Sequence, residues 1–373
     1  MSIFNKVLRR IVFKRLCSKG MHPYMAGDLR EDYIKELLVN PEHLSLKQRR
    51  WAWKRGFLAQ KLNNYKLTEE NCGDYLSDYD YYMLYPLNNR FSVWIDDKLT
   101  LRYVLDRFSE YLPNYYAAID DGGKIRRLPD FPAEYPVANT GALTALLKSK
   151  KVLAAKPNQG SGGDGFYRLA YEDGGYLAND KRFDEAQFGS FLGTLGEYLI
   201  TEHVDQCEKY KKVCSTAAHT LRIQTARTDS GEIELLFSFM RWGMDSNDFN
   251  VAHSTAGVNA AVDIERGEIK SAYYLDKDGE YHENLTRHPV SNALLTGEIP
   301  YWNDIVSVCK KIHSYLSELS YIGIDVIITD NGFKIIEINS HSGIRTYQHV
   351  VPFMKNERLK TYYTAKLKEK NLI

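Results

Sequence analysis

The tightest constraint on this chain lies in the stretch YIGIDVIITDNGFKIIEIN, Tyr321 to Asn339. Two runs rich in isoleucine flank Asp330-Asn331-Gly332, which predicts two strands joined by a tight turn. Asp325 interrupts the first apolar strand, and Glu337 and Asn339 interrupt the second. The turn decides where those groups go. A two-residue Asn-Gly turn pairs Asp325 with Ile338 and leaves Glu337 on the opposite face. A three-residue turn, with Gly332 left-handed, pairs Thr329 with Phe333 instead. That register sets Asp325 across from Glu337, with Asn339 two residues on and on the same face.

In the three-residue register, three oxygen-bearing side chains converge on one face of a buried hairpin. Unpaired carboxylates placed there would repel each other and lose hydration. A Mg²⁺ ion relieves both problems, because it takes oxygen ligands and shares them with phosphates. Buried Arg or Lys partners for Asp325 and Glu337 are the competing solution.

A second constraint is VLAAKPNQGSGGDGFYRLAY, Val152 to Tyr171, whose Gly160 to Gly165 fits G-x-G-x-x-G. A dinucleotide-binding turn of that spacing opens a helix. Here a strand-like Phe-Tyr-Arg-Leu-Ala-Tyr follows, which predicts a glycine loop between two strands. Backbone amides at Gly160, Ser161, Gly162 and Gly163 suit close approach to phosphate oxygens, and Lys156 adds a positive charge beside them. Arg222 and Arg241 fall in half-buried strands, where arginine meets phosphate or carboxylate as readily as solvent.

Hydropathy patterning divides the chain into a mainly helical 1–85, a mixed 86–150, two α/β segments at 151–205 and 206–345, and a C-terminal helix at 346–373. The expected class is α/β (α+β). In the N-terminal part, Ser45 is placed to cap a helix. With 49 basic and 48 acidic residues, no general pull toward nucleic acid exists. Five scattered cysteines form no C-x-x-C, which points to a reducing cytoplasm rather than a disulfide framework. Residues 2–19 carry six basic groups and no acid, with apolar residues at helical intervals. Such a helix lies on anionic lipid or docks on its own domain.

Lys98 in DDKLTLRYVL, Lys156 in AAKPNQGSGGDGFYRL, the LITEHV strand and the GIDVIITDNGFKIIEINSHSGI hairpin together resemble the ATP-grasp superfamily in its order. The resemblance covers roughly residues 90–345. KPNQGSGG, HTLRIQT and EINSHSGI are most similar to its sugar-transfer-associated members of surface-polysaccharide gene clusters, relatives of the glutamate-ligase type. The resemblance implies two α/β subdomains gripping ATP. It assigns Lys98 and Lys156 to the nucleotide phosphates, Gly160 to Gly165 to a flap, and Glu202 and Val204 to the adenine hinge. Asp205 or Glu208 would take the ribose; Asp325, Glu337 and Asn339 would hold Mg²⁺; Arg241 would assist at the reacting phosphoryl group, and Arg222 matches a further catalytic arginine on a neighbouring strand.

The same resemblance implies an ATP-dependent carboxylate–amine ligase acting on a small-molecule or glycan-linked substrate, with a sugar kinase as the alternative. His253, Ser254, His341 and Arg345 stand beside the motifs as candidate acceptor contacts. The first 85 residues would cap the site, bind a glycosyltransferase or rest peripherally on the membrane.

Overall fold

The computed structural model describes residues 3–40, 43–160, 164–244, 257–276 and 280–373. The chain divides into two compact units: residues 1–89 with 341–373, and residues 90–340. The first unit is helical, with helices at Ile3–Ser18, Pro23–Leu38, Leu46–Lys54 and Asp78–Met83 joined by the C-terminal helix Glu357–Glu369. Ser45 caps the third of these through a full capping box with Gln48. Buried Leu16, Met25, Ala26 and Leu29 lock the first two helices together.

The second unit holds two seven-stranded sheets. The first comprises β1 (Tyr115–Ile119), β2 (Ile125–Arg127), β3 (Val152–Pro157), β4 (Tyr167–Glu172), β5 (Gly175–Ala178), β6 (Lys181–Phe183) and β7 (Tyr198–Glu202). Its order is β2-β1-β7-β3-β4-β5-β6. The glycine stretch therefore connects β3 to its antiparallel neighbour β4, as the sequence requires, and opens no helix. Gly165 closes that connection at φ +75°, where a Cβ would come within 2.6 Å of the Tyr198 hydroxyl.

The strands after these are β8 (Thr220–Arg227), β9 (Ile233–Trp242), β10 (Val258–Ala261), β11 (Glu268–Ile269), β12 (Ala272–Leu275), β13 (Tyr281–Leu285), β14 (Gly297–Glu298), β15 (Tyr321–Thr329) and β16 (Gly332–Asn339). The second large sheet runs β13-β12-β10-β9-β8-β15-β16, while β11 and β14 pair separately. One face of it is apolar. Leu221, Ile223, Met240, Trp242, Ile322, Ile324, Val326 and Ile338 pack there with Ile305, Cys309 and Ile312 of the Trp302–Tyr315 helix. Because strand side chains alternate, the other face collects the intervening residues, and among them are the polar ones.

The β15–β16 hairpin reaches its pairing by neither turn foreseen from the sequence. Thr329 pairs with Gly332 across a two-residue Asp330-Asn331 turn, and Gly332 has φ +140°. Ile328, Ile327 and Val326 then pair with Phe333, Lys334 and Ile335. A bulge follows, so Asp325 nevertheless faces Glu337, and Gly323 faces Asn339. The extra residue is Ile336. Strict alternation along FKIIEIN would put Ile335 and Glu337 on one face; the bulge lets Ile335 and Ile338 stay in the core while Glu337 turns out.

Candidate nucleotide and phosphoryl-transfer site

A single row of side chains crosses four strands of the second sheet. Phe239, Arg222, Asp325 and Glu337 are successive register partners on β9, β8, β15 and β16. A parallel row one step along joins Tyr273, Asn259, Arg241 and Thr220. Register partners point to one face, so these rows form one polar surface opposite the apolar core.

Arg222 grips Asp325 through two bonds, Nε to Oδ1 at 2.5 Å and Nη2 to Oδ2 at 2.7 Å, and both residues are buried. The Asn339 amide donates to the same Asp325 at 3.4 Å. Arg241 lies over the Phe239 ring, 4.9 Å from its centroid, and makes no ion pair among the described residues. Burial first, and then the neighbouring Arg222, push its guanidinium down to about 10, with Asp325 opposing. A half-buried arginine held beside another arginine, with no acid of its own among the described residues, is a strong anion receptor.

Two lysines arrive from elsewhere in the unit. Lys98 begins the Lys98–Val104 helix, whose N-cap is Asp97. Its ammonium sits 3.4 Å from Glu337 Oε1 and donates to the Gly160 carbonyl at 3.1 Å. Lys156, on β3 of the first sheet, donates to the carbonyl of Ile336 at 3.3 Å. The bulge thus has a second consequence: it frees a main-chain acceptor for the lysine of the other sheet. Burial, and then Lys98, push the Lys156 ammonium down to about 8, while Glu337 pulls the other way.

The base of the glycine loop is fixed by residues that sequence reasoning passed over. Asn158 accepts from Leu99 N–H at 2.8 Å and donates to Asp97 at 2.7 Å, and Gln159 donates to Asp97 at 3.2 Å. The Asn-Gln pair directly after Lys156-Pro157 was the available signal, since amides at a loop base bond locally. Asp96 was missed as well. It accepts from the Ser340 amide and hydroxyl at 3.0 and 2.6 Å, holding the chain just after Asn339, and burial raises its carboxyl.

The hinge candidates form a separate group at the end of β7. Lys156 pairs with Leu199 and Glu202 pairs with Leu153, three rungs apart along the same ladder, roughly 10 Å. An odd spacing turns the Glu202 side chain to the face opposite Lys156, where it accepts from the Asn114 amide and side chain at 3.0 and 3.1 Å. Its main chain is engaged as well: the Glu202 N–H donates to the Asn114 carbonyl at 2.8 Å and its carbonyl accepts from the Thr201 hydroxyl at 3.2 Å. Val204 is buried in the non-ladder segment 203–207, and Lys211 binds both Asp205 and Glu208, at 2.7 and 2.9 Å. Ser161, Gly162, Gly163, His253 and Ser254 lie outside the described residues. His341 belongs to the helical unit, stacked on Tyr81 with ring centroids 4.3 Å apart.

Residues 79–357 match the sequence profile of the family described as sugar-transfer associated ATP-grasp. The chain belongs to this family. The expected ATP-grasp fold, with a helical N-terminal region, is the one found. No curated protein sequence matches the chain. Among solved structures it is similar to D-alanine–D-alanine ligase from Bacillus anthracis complexed with ATP, at 11% identity and TM-score 0.38, covering 76% of this chain and 70% of that one. It is similar also to N5-carboxyaminoimidazole ribonucleotide synthetase from Thermotoga maritima, at 12% identity and TM-score 0.38, covering 74% and 49%. Biotin carboxylase from Campylobacter jejuni matches at 12% identity and TM-score 0.42, covering 73% and 46%. The chain spans about half the length of the last two.

Among the described residues no three His, Cys, Asp or Glu side chains cluster as a metal site. The hairpin offers two carboxylates and one amide. Glu337, half-exposed, and Asn339 fit a hard divalent cation that completes its shell from bound phosphates. Asp325 fits as a third ligand only by yielding an oxygen that Arg222 now holds.

Proposed function

We propose that this ATP-grasp chain is an ADP-forming carboxylate–amine ligase. One observation carries the reading: Lys98, Lys156, Arg222 and Arg241 converge on a hairpin that supplies only Asp325 and Glu337 in return. That surplus of buried positive charge suits a triphosphate. A third acid nearby, Asp96, accepts two hydrogen bonds from Ser340 and also interacts with Lys98, which still leaves more cations than acids.

In this reading the adenine edge meets the main chain near Val204, and the phosphates extend toward Lys156 and Lys98. A substrate carboxylate oxygen attacks the γ-phosphorus, the bond to the bridging oxygen of ADP breaks, and an acylphosphate forms. An amine then attacks the acyl carbon; phosphate leaves and the amine loses a proton. Arg241 neutralises the transferring group, and the lysines hold the chain of phosphates in line. Mg²⁺, held by Glu337 and Asn339 with or without Asp325, would supply further neutralisation of the phosphate oxygens. Closure of the glycine flap would exclude water from the acylphosphate. The family's sugar-transfer association favours an amino acid or amine joined to a sugar of a surface glycan.

Hydroxylamine trapping tests the intermediate. With Mg-ATP and pools of sugar acids and amino acids, a hydroxamate and free phosphate should form, and Glu337→Ala should form neither. ADP production that yields a phosphorylated hydroxyl and no hydroxamate would favour the kinase alternative.

A further inference from the structure

The helical unit carries a surface that the nucleotide chemistry does not use. The Ile3–Ser18 helix turns Val12, Phe13 and Leu16 inward against the Pro23–Leu38 helix. Val7 and Ile11, one turn apart, point the other way and are 51% and 57% exposed. Lys6, Arg10, Lys14 and Arg15 are exposed around them, and the helix contains no acid. Arg9 instead faces inward and pairs with Glu31.

The Arg9–Glu31 pair and the Arg30 contact on Phe13 set the two helices antiparallel. The end of the second helix therefore lies beside the start of the first. There Leu37, Leu38 and Val39 are 39%, 45% and 68% exposed in succession. Arg49 donates to the carbonyls of Glu36 and Leu37 and brings in the next helix, with exposed Leu46, Lys47 and Arg50. Isolated exposed apolar residues need no explanation, but Val7 and Ile11 form a ridge one turn long among cations, and Leu37, Leu38 and Val39 are exposed in the same helical unit.

We propose that the Val7–Ile11 face of the first helix docks on an anionic lipid bilayer. The pattern commits to that occupant: an apolar ridge ringed by long basic side chains, whose stems can lie along lipid while their heads reach phosphates. A nucleic-acid backbone would match the charges but leave Val7 and Ile11 without a role. Among the described residues no helix is long and apolar enough to cross a membrane, so the contact is interfacial.

The test is co-sedimentation of the full chain with phosphatidylcholine vesicles and with mixed phosphatidylglycerol–phosphatidylcholine vesicles. Binding is expected only to the anionic vesicles and should weaken as salt rises. Lys6→Glu, Arg10→Glu and Lys14→Glu together should lower partitioning on the order of a hundredfold. Val7→Glu with Ile11→Glu should abolish it; these positions are exposed, so thermal unfolding should be unchanged. Absence of vesicle binding, equal binding to both lipids, or undiminished binding by folded variants overturns the proposal. So does capture by a protein partner alone. Should a variant not fold, lipid selectivity and salt dependence of the unaltered chain still decide.

Discussion

Arg222 and Asp325 face each other across β8 and β15 and share two hydrogen bonds in a buried, bidentate pair. The finding bears on both members. It orients Arg222 toward the site, and it occupies the carboxylate that resemblance assigns to the metal. Removing one partner leaves the other charge buried and uncompensated, at a cost of about 3–5 kcal/mol. Arg222→Met should therefore lose that much stability in denaturant titration. Arg222→Met with Asp325→Leu should recover most of it, because an apolar pair of similar volume is tolerated. A double variant as unstable as the single would mean that Asp325 has other work in the apo fold.

Lys156 gives a proton-linkage prediction. Burial and Lys98 hold its ammonium at about 8 in the free protein, below the ordinary 10.5. A bound phosphate favours the charged form and lifts it back. Between those limits ATP binding must take up a proton, so affinity should fall as pH rises past about 8. Calorimetry at pH near 9 in two buffers of different ionisation heat should register an uptake approaching one proton. Lys156→Ala should abolish it. Equal uptake in that variant would place the linkage elsewhere.

Acid should loosen the second unit through two histidines with both ring nitrogens engaged. His313 accepts from the Thr225 hydroxyl at Nδ1 and donates from Nε2 to the Leu319 carbonyl. His219 accepts from the Gly243 amide and donates to the Tyr210 carbonyl. Protonation would set a new N–H of His219 against the Gly243 donor, and would force the Thr225 hydroxyl to turn from donor to acceptor at His313. Burial accordingly pushes both down to about 4 from 6.5. The unfolded chain binds those protons first, so stability is complete above pH 6.5 and falls as pH drops toward 4. The total is on the order of several kcal/mol. Tm measured across that window should decline less steeply in His313→Leu, whatever its Tm at neutral pH. An identical slope would rule His313 out as a contributor.

Much of this site was legible because its chemistry interrupts strong patterns. A lone Asp in an apolar strand and a glycine loop between strands both stand out against alternation. The pairing of Asp325 with Glu337 was read correctly, but by the wrong turn, because a bulge at Ile336 is invisible to a count of residues. The same bulge hid the Lys156 acceptor, which is main chain and has no residue type to notice. Glu202 turning away from Lys156 follows from the β3–β7 register, which requires knowing that the two strands are neighbours. The return of residues 341–373 to the N-terminal helices is a long-range packing choice that no local spacing encodes.

The measurement that bears most directly on the ligase reading is product analysis. The purified chain would be incubated with Mg-ATP and defined pools of sugar acids, amino sugars and amino acids, with Glu337→Ala alongside. The account predicts ADP and free phosphate only when an acid and an amine are both present, together with a new amide-linked product and no turnover in the variant. ADP accompanied by a phosphorylated sugar and no free phosphate would contradict it.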